Sequence, residues 1–148
     1  MDISLVERGL ASMQRGNDGT KIINVDDISL GFKRHQIVGG NSGLQPLSNG
    51  RQALVFNGEL FDFKRLAQSF GIKLTPDLSD SEVPFHVPCK EGINILGELN
   101  IMAAGAFLCL EQENLILFRD WVGEMPLHYV IPEPGRWIFA STCRVFPA

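Results

Sequence analysis

Cysteine is scarce in these 148 residues. Cys89, Cys109 and Cys143 are the only three, an odd number at irregular spacing that argues against a disulfide framework and fits reduced thiols in a reducing, cytoplasmic setting. Basic residues are also few. Thirteen Lys and Arg stand against 17 Asp and Glu, a formal net charge of −4 with the signs interspersed. No basic stripe exists to neutralise a phosphate backbone, so nucleic acid is not the expected partner. Long apolar runs are missing. The longest, IMAAGAFLCL at 101–110, is about half of what a membrane span requires, and the N-terminal MDISLVERGL lacks the basic and apolar regions of a secretory signal. Repeats, low-complexity tracts and linker-like composition shifts are absent.

What is present is an apolar content of 45%, enough for one domain over residues 1–148 to bury about 70% of its unfolded surface. Leu5, Leu10 and Met13 fall roughly on one helical face of ISLVERGLASMQ, which runs into the turn residues of RGNDG. The β-branched stretch TKIINVDDISLGFKRHQIV, broken at Asp26-Asp27, predicts a hairpin or a bent long strand. NSGLQPLSNG reads as loop and RQALVF as a buried strand, with Asn57-Gly58 as the passage into a helix over ELFDFKRLAQSFG that ends on Gly71. Two prolines in SEVPFHVPCKEGINILGELN predict two short helices or one broken one. Four strand-like runs from 101 to the end, joined by EQEN, VGEM and PEPG, predict a β-meander. The whole reads as an α+β sheet-and-helix architecture.

Five blocks in order carry a family resemblance: QRGNDG (14–19), FKRHQIVGGNSGLQPLSNG (32–50), LVFNGELFDFKRL (54–66), LSDSEV (78–83) and LILFRDWVGEMPLHYV (115–130). Together they resemble the glutamine-hydrolysing domain of asparagine synthetases and β-lactam synthetases, a class II glutamine amidotransferase. The resemblance implies an αββα sandwich of the N-terminal-nucleophile hydrolase type. It also implies roles for particular residues. Arg34 takes the position that holds the α-carboxylate of glutamine, a task suited to a planar guanidinium; the alternative is a surface arginine on a strand. Asp80 takes the position that receives the α-ammonium, with Glu59 beside it, and SDSE also suits a helix N-cap. Asn57 and Gly58 take the oxyanion-hole positions, where a side-chain amide and a backbone N–H face a developing negative oxygen. Read alone, Asn-Gly is a turn.

Departures from the family pattern set the functional expectation. The family's nucleophile is a cysteine directly after the initiator methionine, and its own α-amine serves as base. Here Asp2 stands in that place. Arg15 has only 14 residues ahead of it, so the chain is expected to open inside the family's first helix, N-terminally truncated and without the cysteine strand. Asn17 replaces a proline, and HQIVGG a more hydrophobic run. Cys89, Cys109 and Cys143 have no motif that sets them beside Asn57. HVPC (86–89) has no second Cys/His pair to complete a zinc site, and VGGNSG lacks the lysine of a phosphate loop. No metal, cofactor or ATP chemistry is implied. The expectation is a degenerate glutaminase-like subunit that still binds glutamine or a similar amino acid. Its partner would be a separate synthetase or a second copy, because a missing central strand leaves two edges unpaired. An active glutaminase whose cysteine strand is supplied in trans, or lost through a misassigned start, is the alternative.

Overall fold

Asp26 and Asp27 close the first hairpin. Asp26 sits at φ 53°, a left-handed conformation that aspartate tolerates better than most residues. The computed structural model describes residues 3–16, 18–35 and 44–146. In it the hairpin joins β1 (Thr20–Val25) to β2 (Ile28–Lys33), antiparallel, with Thr20 opposite Lys33 and Val25 opposite Ile28. Helix α1 (Ile3–Ser12) covers one face of β2. A Cβ added to Gly31 would stand 2.5 Å from Val6 and 2.8 Å from Leu10, so this close approach depends on glycine. Leu30, the preceding residue, points to the opposite face and packs with Ala53 and Leu108.

Those two residues belong to a four-stranded antiparallel sheet in the order β3 (Leu47–Ser48), β4 (Gln52–Leu60), β5 (Ile101–Cys109), β6 (Asn114–Arg119). Alternation along β4 divides two cores. Ala53 and Val55 face β2, whereas Leu54, Phe56 and Leu60 face Ala67 of α2 (Phe63–Ser69) and Val83 and Phe85 of α3 (Glu82–His86). The larger core lies on the helical side. Leu54, Leu60, Val83 and Phe107 are fully buried there, each stabilising the fold by about 1.5–3 kcal/mol. Helix α4 (Pro88–Glu91) and a 3-10 turn (Ile93–Gly97) follow α3. This is the broken helical stretch that Pro84 and Pro88 predict.

The chain returns to the outer layer with β7 (His128–Glu133) and β8 (Arg136–Ala140), an antiparallel pair of their own. Phe139 packs against the cluster that holds Leu30 and Leu108. A Cβ on Gly9 would stand 3.4 Å from Val145, so α1 packs on β2 and on the turn Cys143–Val145 that follows β8. The layers run α1, the two hairpins, the four-stranded sheet, then α2 to α4, which is the expected αββα order.

Three local expectations do not hold. Asn57-Gly58 is not the passage into a helix: β4 continues to Leu60, and the turn falls at Phe61-Asp62, with Asp62 at φ 54°. Nine consecutive registered partners on β5, from Gln52 opposite Cys109 to Leu60 opposite Ile101, outweigh the local turn preference of Asn-Gly. The stretch 44–50 is not all loop, because Leu47 and Ser48 pair with Leu54 and Ala53. The last four strands are not one meander. β6 pairs with β5, and the segment 120–127 carries the chain across to the outer layer, where β7 pairs with β8. The readings placed on Met1, Asp2, Asn17 and VGGNSG lie outside the described residues. Among those described, no helix is long and apolar enough to cross a membrane.

Candidate functional site

Peptide groups in an extended strand point alternately to its two edges, and this decides where Gly58 aims. The side chain of Gln45 accepts from the Phe56 N–H through Oε1 and donates to the Phe56 carbonyl through Nε2 at 2.9 Å. Four residues on, the Leu60 N–H donates to Asp80 Oδ2 at 3.0 Å. Phe56 and Leu60 therefore turn their amides away from β5, and the Gly58 amide, between them, lies on the same edge. Neighbouring β3 pairs only as far as Leu54. The Gly58 N–H thus stands in a window between the Gln45 and Asp80 side chains.

Gly58 cannot be another residue without loss. Its φ is +144°, and a Cβ there would stand 2.1 Å from the Met102 carbonyl oxygen and 2.6 Å from Ala103 Cα. Both are backbone of the paired strand β5, which has no room to yield. Asn57, its neighbour, faces the outer layer. Its side chain is exposed, and Nδ2 lies 3.9 Å from Met125 Sδ. Glu59 shares that face and is likewise exposed. A side-chain amide and a backbone N–H thus stand on consecutive residues, both of them donor types suited to an amide oxygen.

Asp80 does not cap α3. Ser81 holds the N-cap position and makes no side-chain cap hydrogen bond. The Asp80 carboxylate turns to β4 instead, with Ser79 Oγ donating to its other oxygen at 3.2 Å, because the strand-end amide offers a partner that the helix does not need. Arg34 is not a surface arginine: only 6% of it is exposed. Just past β2, its N–H donates to the Gly19 carbonyl at 2.7 Å and its carbonyl accepts from the Asp18 N–H at 3.1 Å. The structure thus brings Asn57, Gly58, Glu59 and Asp80 to one end of β4, and sets Arg34 at the end of β2 in the facing layer.

Two residues of this region escape a reading of the sequence. Gln45 carries no local signal, since its partners lie eleven positions away. Asp120 has one: it begins DWVG, and an Asp ahead of a Gly favours a side-chain-bonded turn. The buried Asp120 accepts from Glu124 N–H at 2.8 Å and Met125 N–H at 3.1 Å, while its own N–H donates to the Ala103 carbonyl at 2.8 Å. The Met125 amide, then desolvation acting the other way, then the Glu124 and Gly123 amides hold its carboxyl on balance below the ordinary value. This knot fixes Met125, and Met125 in turn backs Asn57.

Neither thiol among the described side chains sits here. Cys109 is buried in the helical-side core opposite Gln52, five positions along β4 from Asn57 or about 17 Å at strand rise. Cys143 is exposed in the final turn, Cys143–Val145. The side chain of Cys89 lies outside those described. His86 Nε2 lies 3.3 Å from Glu82 Oε2. Among the described residues, no group of His, Cys, Asp and Glu gathers as a metal site.

Four layers with an amide-donor pair at the end of an inner strand define an α+β domain of the N-terminal-nucleophile type. Residues 3–148 match the model of the glutamine amidotransferase domain. The chain belongs to that family, as a class II domain of the asparagine synthetase type. Asparagine synthetase B (glutamine-hydrolyzing) of Escherichia coli strain K12 is 32% identical over 133 residues, covering 88% of this chain and 24% of that protein. The asparagine synthetase (glutamine-hydrolyzing) of Gallus gallus is 31% identical over 137 residues, 87% of this chain and 24% of its own. Asparagine synthetase (glutamine-hydrolyzing) 3 of Arabidopsis thaliana is 29% identical over 142 residues, 95% of this chain and 25% of its own. The chain spans about a quarter of the length of these relatives.

Proposed function

We propose that this chain recognises glutamine without hydrolysing it by itself, as a binding or scaffolding subunit beside a separate ATP-dependent, amide-forming synthetase. In this reading Arg34 holds the α-carboxylate, and Asp80 with Glu59 holds the α-ammonium. Asn57 Nδ2 and the Gly58 N–H hold the amide oxygen. The observation that carries it is the Gly58 amide in its window between Gln45 and Asp80, with the Asn57 amide beside it. An ionised carboxylate has about four acceptor positions, so Asp80 keeps capacity for an ammonium after accepting from Leu60 and Ser79.

In this reading the lack of hydrolysis is supported by the placement of Cys109 and Cys143, the two thiols among the described side chains. Cys109 faces away from Asn57 and lies far along the strand, and Cys143 is in the last turn. Removing the nucleophile from a nucleophilic unit costs on the order of a million-fold in turnover, as in the serine protease subtilisin. Donors for the oxyanion do not replace it. The supporting experiment is calorimetric titration with L-glutamine of the native chain and of Asp80→Asn and Arg34→Lys. Each variant should weaken binding about tenfold, or 1.4 kcal/mol. Equal binding by all three would remove the assigned pocket.

A second reading is favoured by one further observation: Asn57 lines the slot that divides the outer layer. A cysteine-bearing strand arriving there from another polypeptide would make an active glutaminase.

A further inference from the structure

The turn after β6 is held from within. Its tip, Trp121 and Val122, is 91% and 80% exposed, so apolar packing does not fix it. Asp120 does. Its backbone N–H donates to the Ala103 carbonyl, its own carbonyl accepts from the Gly123 N–H at 3.1 Å, and its two carboxylate oxygens accept from the Glu124 and Met125 amides. Ala103 is the registered partner of Gly58 on β5. Asp120 is therefore tied to the rung of one amide-oxygen donor, while the residue it holds, Met125, touches the other: Asn57 Nδ2 lies 3.9 Å from Met125 Sδ.

We infer that Asp120 and Met125 are positioning residues for Asn57, setting which end of its carboxamide meets the side-chain amide oxygen of a ligand, a role that rests on the glutamine reading proposed for this pocket. A thioether sulfur accepts hydrogen bonds and has none to give, whereas a carboxamide donates through Nδ2 and accepts through Oδ1. Sulfur at this position therefore favours the flip that turns Nδ2 toward it. Nδ2 carries two hydrogens, so the one on sulfur leaves one for an oxygen of the ligand. The reverse flip would offer that oxygen a second acceptor. Among the described residues, no other polar contact holds the Asn57 side chain. A bond to sulfur is weak, so it orients Asn57 only if the sulfur itself is kept in place, which the Asp120 turn does. A carboxamide released from it divides between two flips in up to three staggered χ1 wells. The competent share then falls to between about one half and one sixth, and the apparent affinity falls by the same factor.

Nuclear magnetic resonance of the full chain tests this first without ligand. The Asn57 Nδ2 protons should show through-space cross-peaks to the Met125 side chain, and these should disappear in Asp120→Asn. Their absence from the native chain would overturn the inference whatever the chain binds. Titrations of L-glutamine and of L-norvaline, which keeps the α-groups but has no side-chain amide, then read the consequence. Met125→Leu, similar in bulk but without an acceptor, should weaken glutamine about twofold to sixfold and leave norvaline unchanged. Met125→Gln, whose carbonyl accepts at similar reach, should restore the affinity. Asp120→Asn should match Met125→Leu, and the double variant should be no weaker than either, since the two residues act in series. Met125→Leu leaves every Asp120 contact in place, so it decides the case even where Asp120→Asn does not fold. Equal losses for the two ligands, or additive losses in the double variant, would overturn positioning in favour of a merely structural role. Cross-peaks that depend on Asp120 in a chain that binds no glutamine would remove the glutamine reading and leave the positioning of Asn57 standing.

Discussion

The side-chain amide of Gln45 stands in for a neighbouring strand at Phe56, occupying both the N–H and the carbonyl of that residue two positions before Gly58. This contact keeps the edge of β4 straight where β3 no longer reaches. Gln45→Leu should therefore leave two buried peptide groups unpaired and cost about 1–3 kcal/mol. Urea denaturation measures the loss, and faster exchange at Asn57 to Leu60 should accompany it. A variant as stable as the native chain would show that Gln45 is dispensable.

Gly58→Ala should be among the costliest single substitutions in the protein. The added carbon meets the Met102 carbonyl oxygen at 2.1 Å, and a non-glycine residue in that backbone region is strained by about 1–3 kcal/mol before any contact is counted. The β4–β5 pairing at Ala103 should loosen, visible as lost amide protection on both strands.

Asn57→Ala is expected to behave oppositely. Asn57 is exposed and its single side-chain contact is to a sulfur at 3.9 Å, so stability should change by less than about 0.5 kcal/mol. Glutamine binding should nevertheless weaken, by about tenfold if one amide donor to the carbonyl is lost. Stability and binding would thus separate at adjacent positions.

Asp120 gives a pH signature. Its carboxyl is held below the ordinary value of 3.8, chiefly by the Met125 amide, so its contribution to folding is complete above that value and disappears as pH falls through the lowered one. At neutral pH the native chain should melt above Asp120→Asn, and the gap should close on acidification below the ordinary carboxylate range. A gap that stays constant with pH would show that the charge is not what organises the loop.

How much of this was legible in the sequence depends on the range of the interactions involved. Helix α1, the turn at Asp26-Asp27 and the proline-broken stretch from Glu82 were readable because stripe, turn and breaker are local properties. The extension of β4 through Asn57-Gly58 was not, because the ladder with β5 that enforces it joins residues more than forty positions apart. The N-cap that SDSE also suits is not formed, for the same reason: the partner of Asp80, Leu60, is twenty positions away. The family pattern marked Asn57, Gly58, Glu59, Asp80 and Arg34 together. Gln45 and Asp120 act on backbone groups, through contacts that residue type alone does not announce.

The proposed function requires that glutamine be held here but not cleaved. Nuclear magnetic resonance of glutamine labelled with ¹⁵N in its side-chain amide, mixed with the purified chain, tests both halves at once. The predicted result is a shifted and broadened amide signal whose integrated intensity stays constant, with no ammonium signal growing in. Growth of ammonium at an enzymatic rate, or an amide signal identical to that of free glutamine, would contradict it.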